Sequence, residues 1–284
     1  MKVFTTAIEL QQYLSVQKLL ERKVGFIPTM GALHDGHISL VQQCQSISNK
    51  MISVVSIFVN PTQFNDRRDY EKYPITIDQD LEMLIKAGCE AVFLPSVEEI
   101  YPNGLQTNIA LDLGYLETTL EAAHRPGHFQ GVVQVVKILL DKVQPDFLFL
   151  GQKDYQQCMV ISRLVEAYNL PIEIIICPTK RETSGLAMSS RNRRLSEQET
   201  AIATNLSKIL FEIKKNYLRK MPKEWVVYGK QFLKSFPEVT LEYLSVVNGK
   251  TLEEINDWKE TKNAVALIAA KIGNVRLIDN LTSY

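Results

Sequence analysis

Short apolar, β-branched runs recur at wide spacing along the first part of the chain: Val24 to Ile27, Ile52 to Val59, Ala91 to Leu94, Phe147 to Leu150 and Ile172 to Cys177. Each is almost continuously hydrophobic, as strands buried on both faces of a parallel sheet are. Between them the apolar positions take a helical period. Leu40, Val41, Cys44 and Ile47 fall on one face, as do Val132, Val136, Leu139 and Val143. Strand and helix in alternation imply βαβ crossovers, and so an α/β, Rossmann-like doubly wound parallel sheet.

The pattern changes after Cys177. A polar, basic stretch from Pro178 to Arg194 leads to Ser196 and Glu199, spaced as a capping box. The helix they open carries Ile202, Leu206, Ile209 and Ile213 on its apolar face. Pro222 suits the first turn of another helix, expected to end near Pro237. Two strand-like runs follow, Thr240 to Val247 and Ala264 to Ile272, with Asn248-Gly249 as turn punctuation. The expected organisation is an α/β domain over residues 1–178 and a smaller C-terminal α+β domain over residues 179–284.

Composition narrows the function classes. A length of 284 residues suits two domains, or one large one. With 32 basic and 32 acidic residues the formal net charge is zero, which argues against a protein that coats nucleic acid or an anionic membrane. A hydrophobic fraction of 45% and a charged fraction of 23% exclude a disordered chain. No apolar run approaches the ~18 residues of a membrane-spanning helix. The first residues lack the apolar core of a signal peptide and carry Glu9 inside the window. Cys44, Cys89, Cys158 and Cys177 form no CxxC pair and read as reduced, partly buried thiols of a cytoplasmic protein.

The chemistry concentrates in Pro28-Thr29-Met30-Gly31-Ala32-Leu33-His34-Asp35-Gly36-His37, which runs from a strand into a helix expected to begin near Ile38. A strand, a Gly-containing turn and a helix N-terminus make an anion site of unpaired N–H groups and the positive end of the helix dipole. The two imidazoles add donors to phosphoryl oxygens. HxxH could also bind a metal with His124 or His128, but Gly36 argues for a helix start and no Cys or Glu cluster completes a ligand set. Purely structural histidines remain a further reading. Neither GxxxxGK[ST] nor GxGxxG occurs. A second constellation, Met188-Ser189-Ser190-Arg191, is flanked by Lys180, Arg181, Arg193 and Arg194. Paired hydroxyls and a forked guanidinium suit a triphosphate, and a solvated basic loop is the competing reading.

HDGH together with MSSR resembles the HIGH and KMSKS pair of the nucleotidyltransferase superfamily. Longer strings narrow the resemblance: PTMGALHDGH, FVNPTQF (Phe58 to Phe64), RPGHFQGV (Arg125 to Val132), GQKDYQQ (Gly151 to Gln157), LAMSSRN (Leu186 to Asn192) and RLIDN (Arg276 to Asn280) are similar to the pantothenate synthetases, the pantoate–β-alanine ligase family. They run in order from residue 28 to residue 280 and so cover nearly the whole chain.

The resemblance implies ATP-dependent condensation of pantoate with β-alanine through a pantoyl adenylate, with release of pyrophosphate and then AMP. It implies catalytic roles for His34, His37 and Lys153. It places ATP on Met30, Gly31, Ala32, Leu33, His34, Asp35, Gly36 and His37, on Gly151, Gln152, Lys153 and Asp154, and on Lys180, Met188, Ser189, Ser190 and Arg191. Gln63 and Gln157 match the pantoate-binding glutamines, and Gln63 extends to β-alanine. The MSSR loop is expected to close over the triphosphate. No metal ligands are assigned: Mg²⁺ is expected to arrive on ATP, and no tightly bound prosthetic group is implied. A homodimer built through the first domain is expected, with no nucleic-acid or membrane partner. Another HxGH transferase would lack the two glutamine strings, and an idle member of the fold would have lost Lys153, His34 or His37.

Overall fold

A computed structural model of the chain describes residues 1–64, 70, 71 and 73–282. These divide into two units, the first made of residues 1–117, 122–151 and 157–178, the second of residues 118–121, 152–156 and 179–284.

The first unit is built on six parallel strands, β1 (Lys2–Phe4), β2 (Lys23–Thr29), β3 (Met51–Ile57), β4 (Ala91–Phe93), β5 (Phe147–Gly151) and β6 (Glu173–Cys177), in the order β1-β4-β3-β2-β5-β6. The connecting helices are α1 (Ala7–Leu19), α2 (Asp35–Ile47), α3 (Ile77–Lys86), α4 (His128–Val143) and α5 (Tyr155–Ala167). All seven residues of β3 are buried, as its unbroken apolar run requires of a central strand. In α4 the expected face of Val132, Val136, Leu139 and Val143 is buried. From β2 the chain steps to β3 on one side, and it later returns to place β5 on the other, with Gly25 opposite Phe147. The carboxyl ends of strands that flank such a switch are where open α/β sheets bind ligands. The segment Pro28 to His37 begins at that end of β2.

The second unit is an antiparallel sheet, β7 (Val239–Asn248), β8 (Ala264–Ile272) and β9 (Val275–Thr282), together with helices α6 (Glu197–Asn216) and α7 (Pro222–Leu233). The Ser196–Glu199 box forms as the spacing indicates: Glu199 N–H donates to Ser196 Oγ at 3.2 Å, and Ser196 N–H donates to Glu199 Oε2 at 2.8 Å. Leu206, Ile209 and Ile213 pack with Trp225, Leu244 and Ile268 in one core. Helix α7 ends at Leu233, earlier than expected, because the residue before Pro237 is driven out of the helical region and the chain turns first.

Two strands escaped the hydrophobic pattern. β1 has three residues at the sheet edge. In β9 the apolar run is interrupted by Arg276, Asp279 and Asn280, which are held by partners instead. Arg276 forks onto Glu121 through two contacts of 2.7 Å and reaches Glu242 Oε2 at 2.8 Å, while Tyr243 donates its hydroxyl to Glu121 at 2.7 Å. Burial opposes the Arg276 charge, but the two carboxylates outweigh it and hold its pKa above the ordinary value. The Tyr243 hydroxyl is pushed far above its usual range, first by burial and then by Glu121. Among the described residues no helix is long and apolar enough to cross a membrane.

All four cysteines are free and buried. Burial raises the Cys44 thiol from 9.0 to about 12, and the Cys177 thiol from 9.0 to about 11. A folded-state pKa above the unfolded one gives stability that is complete below about pH 9 and is lost as pH climbs toward 12. A disulfide reagent at pH 8 should therefore leave Cys44 and Cys177 unmodified in native protein and react with all four thiols in denaturant. Urea midpoints should fall between pH 9 and pH 11, and rapid native labelling of Cys44 would contradict the account.

Candidate active site

The turn after β2 is fixed from below. Thr29 Oγ donates to Ser56 O at 2.7 Å and accepts from Gly31 N–H at 3.2 Å. Gly31 (φ +81°) and Ala32 (φ +50°) are both left-handed, the first a conformation that glycine adopts without strain. Asp80, on α3 and buried, accepts the amides of Ala32 at 2.9 Å and Leu33 at 2.7 Å, together with the Thr76 hydroxyl at 3.1 Å. The Ala32 and Leu33 side chains lie in the core, so only their backbone can serve a ligand.

Helix α2 begins at Asp35, three residues before the expected start, because His34 caps it. Gly36 N–H donates to His34 Nδ1 at 3.1 Å, and His34 N–H donates to His37 Nδ1 at 3.2 Å. The two imidazoles form a reciprocal box with ring centroids 4.1 Å apart. The expected cradle of unpaired amides is thereby corrected. The amides of Gly31, Ala32, Leu33, His34 and Gly36 are all engaged within the chain. A ring whose Nδ1 accepts carries its hydrogen on Nε2 when neutral, so both histidines present an Nε2 donor.

Gln63 sits in a short 3-10 turn, Pro61–Gln63, after β3. Its Nε2 lies 2.8 Å from Met30 Sδ, its Oε1 accepts from Asn60 Nδ2 at 3.1 Å, and its carbonyl lies 2.7 Å from His128 Nδ1. Asn60 is itself held by the Tyr101 hydroxyl at 2.7 Å and by Gly131 O at 3.2 Å. Burial pushes the Tyr101 pKa up, which keeps it a donor. Gly131 lets α4 reach the turn, since a Cβ there would run into Thr62 O and lie 2.8 Å from Gln63 Cα. The RPGHFQGV string thus braces Gln63. A cavity of about 200 Å³ opens beside this region, lined by Met30, Gly31, Phe58, Thr76, Asp80 and Ser96. Gln157 lies in the first unit on α5, half-buried and without a hydrogen-bond partner among the described residues, whereas Gln156 is buried and spent on Glu121 N–H and Thr119 O.

In the second unit Lys153 lies in the 3-10 turn Gln152–Asp154, directly ahead of α5. Its Nζ lies 3.9 Å from Asp154 Oδ2. Residues 180–188 form a hairpin: Arg181 bridges Ala187, Met188 N–H donates to Lys180 O at 3.0 Å, and Gly185 makes the turn. Ser189 Oγ then caps the turn Ser190–Arg194 by accepting Arg191 N–H at 3.2 Å. The hairpin is anchored by Arg181, which forks onto the buried Asp279 at 2.7 and 2.8 Å. Burial pushes the Asp279 pKa up, with Arg181 opposing it.

The structure thus gathers Met30 to His37 with Gln63 in the first unit. It gathers Gln152, Lys153 and Asp154 with Lys180 and Met188 to Arg191 in the second. The sequence reading gave no role to Asp80, Asn60, Tyr101, Asp279 or Asn280. Only the last two and Asn60 sat in a quoted string, and a lone acidic residue such as Asp80 on a helix carries no spacing signal. Among the described residues no group of three or more His, Cys, Asp or Glu is placed to hold a metal ion.

A family model described as pantoate-beta-alanine ligase matches residues 2–282. The pantothenate synthetase of Cytophaga hutchinsonii is 46% identical over 281 residues, covering 98% of this chain and 97% of that protein. That of Porphyromonas gingivalis is 43% identical, with 99% of each covered. The crystal structure of pantothenate synthetase from Thermus thermophilus is similar with a TM-score of 0.90 at 38% identity, covering 99% of each chain. The pantoate-beta-alanine ligase of Francisella tularensis, complexed with beta-gamma ATP and beta-alanine, gives a TM-score of 0.77 at 36% identity, covering 99% of this chain and 97% of that one.

Gly131→Ala should force α4 off the Gln63 turn, with a loss of about 1–3 kcal/mol as in other overpacked sites. Thermal unfolding and pantoate-dependent pyrophosphate release should both decline, and unchanged values for both would show that the close approach is not needed.

Proposed function

The chain belongs to the pantoate-β-alanine ligase family, and from that premise we propose how its residues divide the chemistry. It condenses pantoate with β-alanine at the expense of ATP through a pantoyl adenylate, releasing pyrophosphate and AMP. A carboxylate resists attack by an amine until its oxygen becomes a good leaving group, and adenylation supplies that. The first step loads negative charge onto the phosphoryl oxygens, so positioning and charge stabilisation carry most of the catalysis.

The observation that carries the proposal is the imidazole box. With each Nδ1 accepting a backbone amide, His34 and His37 offer Nε2–H to phosphoryl oxygens, and His37 acts on the reacting phosphoryl group as donor. Met30 to His37 line the nucleotide pocket. Lys153 supplies a point charge to the phosphates, with Gly151, Gln152 and Asp154 beside it in sequence. Lys180, Met188, Ser189, Ser190 and Arg191 serve the triphosphate, Arg191 by its guanidinium fork. Gln63 and Gln157 hold pantoate, and Gln63 also holds β-alanine. Primary amides both donate and accept, and they do not neutralise the attacking carboxylate as a cation would. Mg²⁺ arrives on the ATP phosphates, where it keeps most of its waters and needs few protein ligands. The protein works in the cytoplasm as a homodimer.

Incubation with ATP, Mg²⁺ and pantoate should release about one equivalent of pyrophosphate, with steady AMP and pantothenate only once β-alanine is added. Lys153→Ala and His37→Ala should each cut pyrophosphate release at least ~100-fold, the scale of a lost transition-state donor. The His37 change should cost the fold only about 1 kcal/mol through the lost cap. A folded Lys153→Ala variant with an unaltered rate would remove Lys153 from the catalytic set.

A further inference from the structure

Towards its C-terminal end β9 carries an acid and an amide, Asp279-Asn280, that contact the Lys153 turn and the Arg181 hairpin of the second unit at once. Asn280 is 1% exposed and uses both hydrogens of its amide, donating to Gln152 O at 2.9 Å and to Lys153 O at 2.9 Å. Its Oδ1 accepts from Gln152 Nε2 at 3.0 Å. Its own carbonyl accepts from Arg181 at 3.1 Å, and its N–H is closed onto Asp279 Oδ1 at 2.7 Å. Asp279 in turn takes the Arg181 fork at the base of the hairpin that carries Met188 to Arg191. Two adjacent residues therefore set the Lys153 turn and the MSSR hairpin from a single strand.

We propose that Asn280 is a positioning residue for Lys153, and that Asp279-Asn280 fixes the Lys153 turn and the Arg181 hairpin in one register. The proposal rests on the phosphate role given to Lys153 above. The geometry favours asparagine over its neighbours in chemistry. Aspartate has the same shape but would set a carboxylate against two carbonyl oxygens, and leucine would leave both carbonyls unmatched. The charge arrangement points the same way. Arg181 is satisfied bidentately by Asp279, and among the described residues the carboxylate contact of Lys153 is the one with Asp154 at 3.9 Å. Lys153 is thereby held within a pinned turn, with no short ion pair among the described residues. An ammonium acts on a developing charge only at the right distance, and displacements of about 1 Å cost on the order of 100-fold in well-positioned sites.

The test is a double-mutant cycle on the full-length protein, read as pantoate-dependent pyrophosphate release together with thermal unfolding. Asn280→Asp should remain folded and lose ~10–100-fold in the adenylation rate, with the KM for β-alanine little changed. On a Lys153→Ala background the same substitution should cost less than about threefold, since the residue it acts through is gone. A full, additive loss on that background, or an unaltered rate in the single variant, would overturn the proposal. If Lys153→Ala itself keeps its rate, the phosphate role fails and the positioning role falls with it, whereas an impaired Lys153→Ala beside an unaffected Asn280→Asp defeats the positioning role alone. Should Asn280→Asp not fold, Gln152→Met removes one of the three turn contacts and is read in the same cycle. A several-fold loss absent on the Lys153→Ala background supports the proposal, and no loss overturns it.

Discussion

One buried carboxylate underlies the geometry of the HxGH turn. Asp80 reaches from α3 to accept the amides of Ala32 and Leu33, and so holds two successive residues where the chain reverses between β2 and α2. Without it those buried amides would stand unmatched, at about 1–3 kcal/mol each. The left-handed Ala32 would lose what keeps it there. The next residues depend on that reversal. Leu33 is driven into the core, His34 arrives at the cap position, and the first turn of α2 brings His37 back over it. The orientation of both imidazoles is thus set by a residue outside the motif that carries them.

Much of this was legible from residue order. The buried strands of the parallel sheet announced themselves as unbroken apolar runs, and α4 and α6 as helical stripes, because burial on both faces or on one stripe leaves a periodic mark. The capping box at Ser196 and Glu199 is a contact between residues three apart, and local contacts are written locally. The family was legible through resemblance. β9 was not, since Arg276, Asp279 and Asn280 read as a polar break until Glu121, Glu242, Arg181 and the Lys153 turn are placed around them. Nor was the state of the turn after β2: its amides are consumed by two imidazoles, a threonine hydroxyl and an aspartate from α3, a competition that no spacing rule reports. Asn60 and Tyr101 belong to the same class, a buried relay whose members are distant in sequence.

Buried polar residues brace the two units in more than one way. In the first unit a chain of neutral groups, Tyr101 to Asn60 to Gln63, fixes the Gln63 amide. In the second, charged forks do the fixing, with Arg181 on Asp279 and Arg276 on Glu121 and Glu242. Removing one partner of such a buried pair costs about 3–5 kcal/mol, because the other charge is stranded.

The second unit is not one stretch of chain: residues 118–121 and 152–156 belong to it although they lie inside the sequence of the first. A recombination breakpoint at residue 178 would therefore separate Arg276 from Glu121, and Asn280 from the turn it holds. Such a fragment would inherit the antiparallel sheet without Glu121, one of the two carboxylates that neutralise its buried cation. Homologous exchange between relatives has to carry both short insertions along with the C-terminal half, or meet compatible ones in the recipient. The unit is portable only as three pieces, which ties its inheritance to that of the parallel sheet.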